Sequence, residues 1–134
     1  MDLITINTNG PGLYDFTDRV QDHATGDGLM TLFLRHTSAS LLIQENADPN
    51  VQRDLYEWIQ RLVPRADDPS MDYLRHREEG TDDMPAHIKA AHLPVSLQIP
   101  VVSGRLALGT WQAIYLFEHR DRPRPREVAV HITR

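Results

Sequence analysis

The hydrophobic pattern divides the chain into a β-rich first third, a helical middle and a β-rich end. Strands are predicted where apolar residues alternate with polar ones or run together, at residues 3–8, 29–34, 41–43, 95–101, 106–108, 110–117 and 127–133. Ile4 and Ile6 share one face, as in a half-buried strand, whereas the continuous runs at 29–34 and 110–117 predict strands buried on both faces. The short polar link after residue 34 places the second and third strands close together.

Three helices are predicted between the strands. Thr17 before Asp18 suits the N-cap of a short helix bearing Val20. Asp48 and Pro49 suit the N-cap and first position of a longer helix. Its apolar residues recur at helical spacing on one face: Val51, Leu55, Ile59 and Leu62. A third helix is predicted to start within the segment 82–87 and to run through Ala90 or Ala91.

The polar, charged stretch 65–80 predicts a long surface loop, and loops of that length in a compact domain are often functional. Many short strands with few helices favour an α+β fold with a β-sandwich or jelly-roll-like body of mostly antiparallel strands and two or three short helices. The length of 134 residues suits one domain with its own core, so we expect residues 1–134 to form a single domain.

Composition narrows the classes of function. The formal net charge of −5 argues against a nucleic-acid partner, because such a partner needs a basic face. The absence of cysteine excludes disulfides, thiolate metal sites and cysteine nucleophiles. No apolar run is long enough to span a bilayer, and the N-terminus lacks a signal-peptide pattern, so we expect a cytoplasmic protein with no membrane partner.

The segment 82–87, with the sequence DDMPAH, is the leading candidate site. One of Asp82 and Asp83 is expected to cap the helix that follows, which leaves the other free for chemistry. His87 in the first turn would feel the positive end of the helix dipole, which favours a neutral ring able to bind a metal or act as a base. His76, on the preceding loop, is as readily a solvated residue as a metal ligand.

A second cluster of polar residues surrounds His36 in the sequence HTSASLLIQENADP. A histidine at a strand end is more often a satisfied polar residue than a ligand, but the density of hydroxyl and carboxylate groups here favours a site. An N-cap explains Asp48 fully, whereas Glu45 has no such explanation.

Arginines 120, 122, 124 and 126 form a basic run interrupted by prolines. Such a run is usually a solvated link, although with Arg105 it would also suit a phosphate group. No HExxH helix, GxSxG elbow or phosphate-binding glycine loop occurs.

Three strings, HTSASLLIQENADP, DDMPAHIKA and SLQIPVVSGRLALGTWQAIYLFEHR, resemble the YjbQ family, described as secondary thiamine-phosphate synthase enzymes. The resemblance covers nearly the whole chain. It implies a jelly-roll-like α+β fold, a homotrimer and one pocket that gathers the polar residues of the motifs. It also implies weak synthase activity that joins a pyrimidine pyrophosphate to a thiazole phosphate with loss of pyrophosphate.

On this basis we expect catalytic residues among His36, Glu45, Asp48, Asp83, His87 and Glu118. We assign ligand binding to Ser38, Asn46, Arg105, Thr110 and Gln112. A divalent metal, zinc or magnesium, is expected on His36, His76 and His87, in an enzyme for a small phosphorylated metabolite. The alternatives are a metal-dependent phosphate-ester hydrolase and a non-catalytic trimeric module that binds a small anionic metabolite.

Overall fold

The computed structural model covers residues 1–134 and contains eight strands and three α-helices. The strands are β1 Asp2–Thr8, β2 Gly12–Asp15, β3 Gly28–Leu34, β4 Ala39–Glu45, β5 Ser96–Val102, β6 Arg105–Leu106, β7 Gln112–Glu118 and β8 Arg124–Thr133. The helices are α1 Thr17–Gln21, α2 Pro49–Leu62 and α3 Asp83–His92, with a short 3-10 helix at Pro69–Met71. No helix is both long and apolar enough to cross a membrane.

The strands form two antiparallel sheets that enclose one core. The larger sheet has the order β1-β8-β3-β5-β6 and the smaller has the order β2-β7-β4. Ile4, Leu32 and Val128 of the larger sheet share a hydrophobic cluster with Leu41 and Leu116 of the smaller one. This arrangement confirms the predicted α+β class with a sandwich-like body of antiparallel strands.

The apolar alternation locates the core correctly in most strands. Ile4 and Ile6 are buried in β1, and β7 is the central strand of its sheet with both faces covered. The prediction for β3 is wrong in one respect, because only Met30, Leu32 and Leu34 point into the core. Phe33 lies on the outer face and remains 48% exposed.

The strand β2 was not predicted, because its four residues show no alternation. Phe16 occupies the N-cap position of α1, and Thr17, predicted as the cap, is the first helical residue. The Asp15 carboxylate instead accepts hydrogen bonds from the Thr17 backbone N–H and hydroxyl at 3.0 and 2.6 Å. The N-cap of α2 is confirmed, since Asp48 accepts a bond from the Asn50 N–H at 2.9 Å.

The loop that follows α2 is closed at its neck. The Ala66 N–H donates to the Thr81 carbonyl at 2.9 Å, so the two ends of the excursion meet. Inside it, the Arg77 guanidinium donates to the backbone carbonyls of Leu74, Ala66 and Met71. These bonds replace secondary structure and order the segment that carries His76.

Candidate metal centre and its flanking clefts

A cluster of two imidazoles and one carboxylate forms where the loop meets the first turn of α3. His76 comes from the loop, while Asp83 and His87 lie four residues apart and so share one face of the helix. One potential ligand atom from each lies within 4.8 Å of the others. The side chain of Asp83 is 2% exposed, whereas those of His76 and His87 are 51% and 32% exposed, so the cluster opens to solvent.

Asp83 is oriented by an arginine from the end of β7. Arg120 Nη1 donates to Asp83 Oδ1 at 2.6 Å. The other oxygen, Oδ2, accepts from His76 Nε2 at 2.7 Å and lies 3.5 Å from His87 Nε2. Burial alone would raise the pKa of this carboxyl, but the His76 hydrogen bond and the charge of Arg120 together lower it. Asp83 therefore carries a negative charge towards both imidazoles.

Asp82 does not cap α3, although it occupies the N-cap position and capping was predicted for one of the two aspartates. Its Oδ2 accepts from Arg120 Nε and from the Asp121 backbone N–H, both at 2.9 Å. Arg120 thus bridges Asp82 and Asp83. Gly80, at φ +105°, passes so close that a Cβ there would lie 3.0 Å from Asp82 Oδ1.

His87 is held in a tautomer that leaves Nε2 available to a metal. A carbonyl oxygen only accepts hydrogen bonds, so the 3.1 Å contact between His87 Nδ1 and the Thr37 carbonyl places the ring proton on Nδ1. The lone pair of the neutral ring then lies on Nε2, which faces Asp83 Oδ2. The 3.5 Å between these two atoms places them close enough to bind the same cation. Histidines bound to metals usually donate their other N–H in this way.

The donor set suits a divalent transition metal such as zinc. Two ligands that each lie about 2.1 Å from a tetrahedral ion are separated by about 3.4 Å. The 3.5 Å between His87 and Asp83 agrees with that separation. The 2.7 Å between His76 and Asp83 is a hydrogen bond and would lengthen when a metal replaced its proton. Three protein ligands in an exposed cluster leave a coordination position for water or substrate, as in catalytic zinc sites.

His36 does not belong to this cluster, contrary to the predicted three-histidine site. Its Nε2 accepts a hydrogen bond from the Glu127 backbone N–H at 2.8 Å. A neutral imidazole has a single nitrogen lone pair, so this bond occupies the atom that would bind a metal and leaves a proton on Nδ1. Burial and the nearby Arg126 charge lower the pKa of His36, which favours this neutral form. Asp83 is the third member of the cluster instead.

Glu118 and Ser38 belong to a buried network with Arg126. The two oxygens of Glu118 accept from the Thr8 hydroxyl, from Arg126 and from the backbone N–H groups of His119 and Arg120. Arg126 also donates to the Ser38 hydroxyl at 3.0 Å. The side chains of Thr8, Ser38, Glu118 and Arg126 are buried. The prediction of a solvated link is therefore wrong for Arg126. The catalytic and ligand-binding roles predicted for Glu118 and Ser38 remain predictions, but every strong partner we see is structural.

The other predicted residues lie elsewhere in the chain. Five of them lie near the end of the smaller sheet that is remote from Glu118: Glu45, Asn46, Asp48, Thr110 and Gln112. Glu45 pairs with Gln112, whereas Glu118 pairs with Ala39 six residues further along β7, which corresponds to about 20 Å. Arg105 pairs with Val102 at the end of β5 that is remote from α3. One chain therefore does not gather all the predicted groups in one pocket.

A polar cleft of about 590 Å³ lies on the Arg120 side of the cluster. Four arginines and four carboxylates line it, but Arg65 is paired with Asp121 and Arg120 with Asp82. Arg122 and Arg124 form no ion pair. Partial burial and the neighbouring charges of Arg120 and Arg126 lower the pKa of Arg124. An anion in this cleft would relieve the crowding of positive charge.

A crevice of about 300 Å³ lies on the other side of the cluster, where His87 forms part of its wall. Its other lining residues are small or apolar, apart from one histidine: His36, Thr37, Ala39, Ala90, Ala91 and Val95. The cluster thus lies between a charged cleft and a mostly apolar crevice.

Three residues near the cluster were missed or misread in the sequence. The sequence predicts Arg120 to lie in a solvated run, yet it is half-buried and holds both aspartates. Lys89 and His119 are buried, and Lys89 donates to Gln60 Oε1 at 2.7 Å. His119 bonds the Ser40 hydroxyl through Nε2 at 2.9 Å. The available signal for Arg120 and His119 was the run of three polar residues, 118–120, that ends an apolar central strand.

The family model for UPF0047 protein YjbQ-like matches residues 2–134. A UPF0047 protein from Synechocystis is 49% identical over 136 residues, which cover 98% of this chain and 90% of that protein. The YjbQ protein from Salmonella typhimurium is 44% identical over 130 residues, which cover 93% and 91% of the two chains.

Solved structures give the same result at the level of the fold. A conserved hypothetical protein from Thermus thermophilus superposes with a TM-score of 0.86 at 35% identity, covering 99% of this chain and all of the other. An uncharacterised YjbQ/UPF0047 protein from Clostridium acetobutylicum superposes with a TM-score of 0.85 at 36% identity and the same coverage.

Proposed function

This chain belongs to the YjbQ-like UPF0047 family, and we propose that it is a metal-dependent enzyme that acts on a small phosphorylated molecule. The observation that carries the proposal is the cluster of His76, Asp83 and His87. Its carboxylate is fixed by Arg120 and one of its imidazoles by the Thr37 carbonyl. A solvated surface cluster needs no such support, whereas the side chains around a metal site usually have it.

In this proposal His76 Nε2, Asp83 Oδ2 and His87 Nε2 hold the ion. When bound, a divalent metal neutralises charge on phosphate oxygens and stabilises a leaving group. Asp83 supplies the compensating negative charge, and Arg120 prevents its carboxylate from turning away. Glu79, whose carboxylate lies 3.9 Å from His76 Nε2, is near enough to add a further oxygen ligand.

The polar cleft provides the phosphate site of the proposed enzyme. Arg122 and Arg124 have no carboxylate partner and can donate several hydrogen bonds to phosphate oxygens. Arg120 lines the same cleft and also holds Asp83, so a phosphate bound there lies next to the metal ligands.

The finer proposal is a reaction of the thiamine-phosphate synthase type. The thiazole ring nitrogen attacks the methylene carbon of a pyrimidine diphosphate, the new C–N bond forms, and pyrophosphate leaves with the electron pair of the broken C–O bond. No proton has to be removed from the nitrogen. The reaction therefore depends on stabilising the leaving pyrophosphate, which suits a cationic site without a dedicated base.

Metal content and turnover test the proposal together. Protein purified without a histidine tag should contain close to one equivalent of a divalent metal, and His87→Ala should lose most of it. Pyrophosphate release from the pyrimidine diphosphate and thiazole phosphate should disappear in the same variant. Equal metal content in both proteins, or pyrophosphate release that is unaffected by His87→Ala, would contradict the proposal. Binding without turnover would favour the anion-binding module.

The exposure of the cluster favours a second candidate, a metal-dependent phosphate-ester hydrolase. His76 and His87 face solvent, so a water molecule can reach a metal held between them. A synthase would have to exclude that water to avoid hydrolysis of its substrate. Assays of phosphate release from a panel of phosphomonoesters separate the two candidates.

We also propose that the protein acts as a homotrimer. Trp111, directly before β7 of the smaller sheet, is 61% exposed, and Phe33 and Val102 are exposed at opposite ends of the outer face of the larger sheet. Contact between subunits would cover these side chains and could bring Gln112 of one chain near His87 of the next.

If each site uses both residues, mixed trimers of His87→Ala and Gln112→Ala subunits would regain about a quarter of the sites. No recovery on mixing would contradict shared sites.

A further inference from the structure

His36 is left without a metal-binding role, yet it is the only polar ring besides His87 in the wall of the apolar crevice. Its Nε2 is occupied by the Glu127 N–H, at 2.8 Å. Since a backbone N–H can only donate, the remaining ring proton must lie on Nδ1. That Nδ1–H forms no hydrogen bond within the chain. The ring is therefore anchored on one side and has a free donor on the other.

The crevice has the character of a site for an uncharged group. Ala39, Ala90, Ala91 and Val95 supply apolar walls, and no carboxylate, lysine or arginine lines it. Its volume of about 300 Å³ lies at the lower end of the range for small-ligand sites, roughly 300–1,000 Å³. Such a site recognises its ligand by apolar contact and by a few placed polar groups.

We propose that the crevice binds an uncharged ring or carbonyl-bearing group of the substrate, and that His36 selects it by donating a hydrogen bond from Nδ1 to an acceptor atom. This inference rests on the proposed function, because the bound group is the organic part of the molecule whose phosphates occupy the polar cleft. His87 lines the crevice, and Arg120 connects the cluster to the cleft. The two parts of the substrate would then lie on either side of the metal ligands.

The role makes His36 a specificity residue and not a ligand of the metal. A molecule with a hydrogen-bond acceptor on its ring is favoured. A molecule that presents a donor or only carbon at that position leaves the imidazole proton unpaired in a partly dehydrated crevice. An aminopyrimidine diphosphate, with ring nitrogens that accept hydrogen bonds, belongs to the favoured class.

Two substitutions at His36 separate this role from a structural one. In His36→Asn the side-chain amide lies near the position of Nδ1 and can replace the free donor, but it does not reach Glu127. In His36→Gln the amide oxygen lies near the position of Nε2 and can accept from the Glu127 N–H, but the donor in the crevice is lost. The probes are the pyrimidine diphosphate and inorganic pyrophosphate, measured by titration calorimetry in the presence of Zn²⁺.

We expect His36→Gln to weaken binding of the pyrimidine diphosphate about tenfold, the size of one hydrogen bond, while the affinities for pyrophosphate and Zn²⁺ stay unchanged. His36→Asn should retain most of the binding of the pyrimidine diphosphate. If His36→Asn binds the pyrimidine diphosphate weakly and His36→Gln binds it normally, the proposal is overturned. His36 would then serve only to support β8.

A third variant keeps the proposal testable if His36→Asn fails to fold. Ala91→Leu, at an exposed helix position, should fill the crevice and exclude the pyrimidine diphosphate while pyrophosphate still binds. Unchanged binding of the pyrimidine diphosphate in this variant would overturn the proposal. If the wild-type protein takes up no metal but the Gln and Asn variants still differ as expected, the metal proposal fails and the assignment of His36 stands.

Discussion

Arg120 and Asp83 form an ion pair of 2.6 Å at the start of α3, and this pair directs the second carboxylate oxygen towards two imidazoles. Arg120 is the second residue after β7, whereas Asp83 opens the helix that follows the long loop. The pair therefore couples the position of the candidate metal centre to the end of the central strand of the smaller sheet.

Replacement of Asp83 by Asn should abolish tight metal binding. The change removes the only negative ligand of the cluster and leaves a neutral amide oxygen of similar shape. We expect Zn²⁺ affinity to fall by more than about 100-fold, since even supporting residues contribute 10–100-fold. Competition titration with a Zn²⁺ indicator measures this. Asp72→Asn, an exposed substitution in the same loop, is the matched control and should bind like the wild type.

Replacement of Arg120 by Lys tests the role of the bridge. A lysine ammonium keeps the charge but cannot donate at once to Asp82, Asp83 and the Glu79 carbonyl, as Arg120 does. We expect Zn²⁺ affinity to fall about 10–100-fold, as for other residues that orient a ligand. Arg53→Lys, on the exposed surface of α2, should have no effect. Equal affinities in the two variants would show that the bridge does not orient the ligand.

The Glu118–Arg126 pair should stabilise the fold, and Glu118→Gln should lower the free energy of unfolding by about 3–5 kcal/mol at neutral pH. Burial alone would raise the pKa of Glu118, but hydrogen bonds from Arg126 and Thr8 lower it. A lowered pKa means that this stabilisation exists above the ordinary value and disappears as the pH falls through the folded value. The difference between the two proteins in urea unfolding should therefore shrink under acid conditions.

Two results would count against this view of Glu118. The control Glu57→Gln breaks an exposed pair with Arg61 and should lower the free energy of unfolding by less than about 0.5 kcal/mol. The first contrary result is that Glu118→Gln lowers the free energy of unfolding by no more than this control. The other is loss of turnover in a Glu118→Gln protein with normal stability, which would return Glu118 to the catalytic residues.

The buried His119 should make stability depend on pH in a different range. Burial, with the charges of Lys89 and Arg126, lowers the pKa of His119 to about 3. Between that value and 6.5 the unfolded chain binds a proton that the folded chain does not, so stability is lost as the pH falls. Well inside this range the loss from one proton is about 1.4 kcal/mol per pH unit.

His119→Leu removes this group and also the hydrogen bond to Ser40. Urea unfolding at pH 8 measures the cost of the altered packing, and unfolding between pH 6 and 4.5 measures the change in slope. We expect the variant to lose stability less steeply than the wild type in that window. If the free energy of unfolding falls with pH equally steeply in both proteins, the low pKa of His119 is contradicted.

The sequence predicted the strands better than the site because burial in a strand is encoded locally. Ile4 and Ile6 alternate with the polar Thr5 and Asn7, and this period of two is sufficient to place them in the core. The outward position of Phe33 was not predictable, since a continuous apolar run does not tell which face is covered. Strand β2 was too short to show a period.

The site was only half predictable because its geometry depends on contacts that are remote in sequence. Asp83 and His87 share a helix face, so their proximity follows from spacing. The role of His36 depends on the backbone N–H of Glu127, 91 residues away, which selects the tautomer and excludes the ring from the metal cluster. Likewise, nothing local distinguishes Arg120 from the other arginines of its run.

The hydrogen bond between Ala66 and Thr81 also has a consequence for protein engineering. It closes the loop below His76, and the Arg65–Asp121 pair fastens the same neck to the end of β7. We therefore expect the segment between the two closing residues to accept a change of length, or exchange for that of a relative, without a change in the register of either sheet, as long as the buried Met71 is kept. In engineering terms the segment is an insert on a β scaffold, and it supplies one of the three candidate metal ligands.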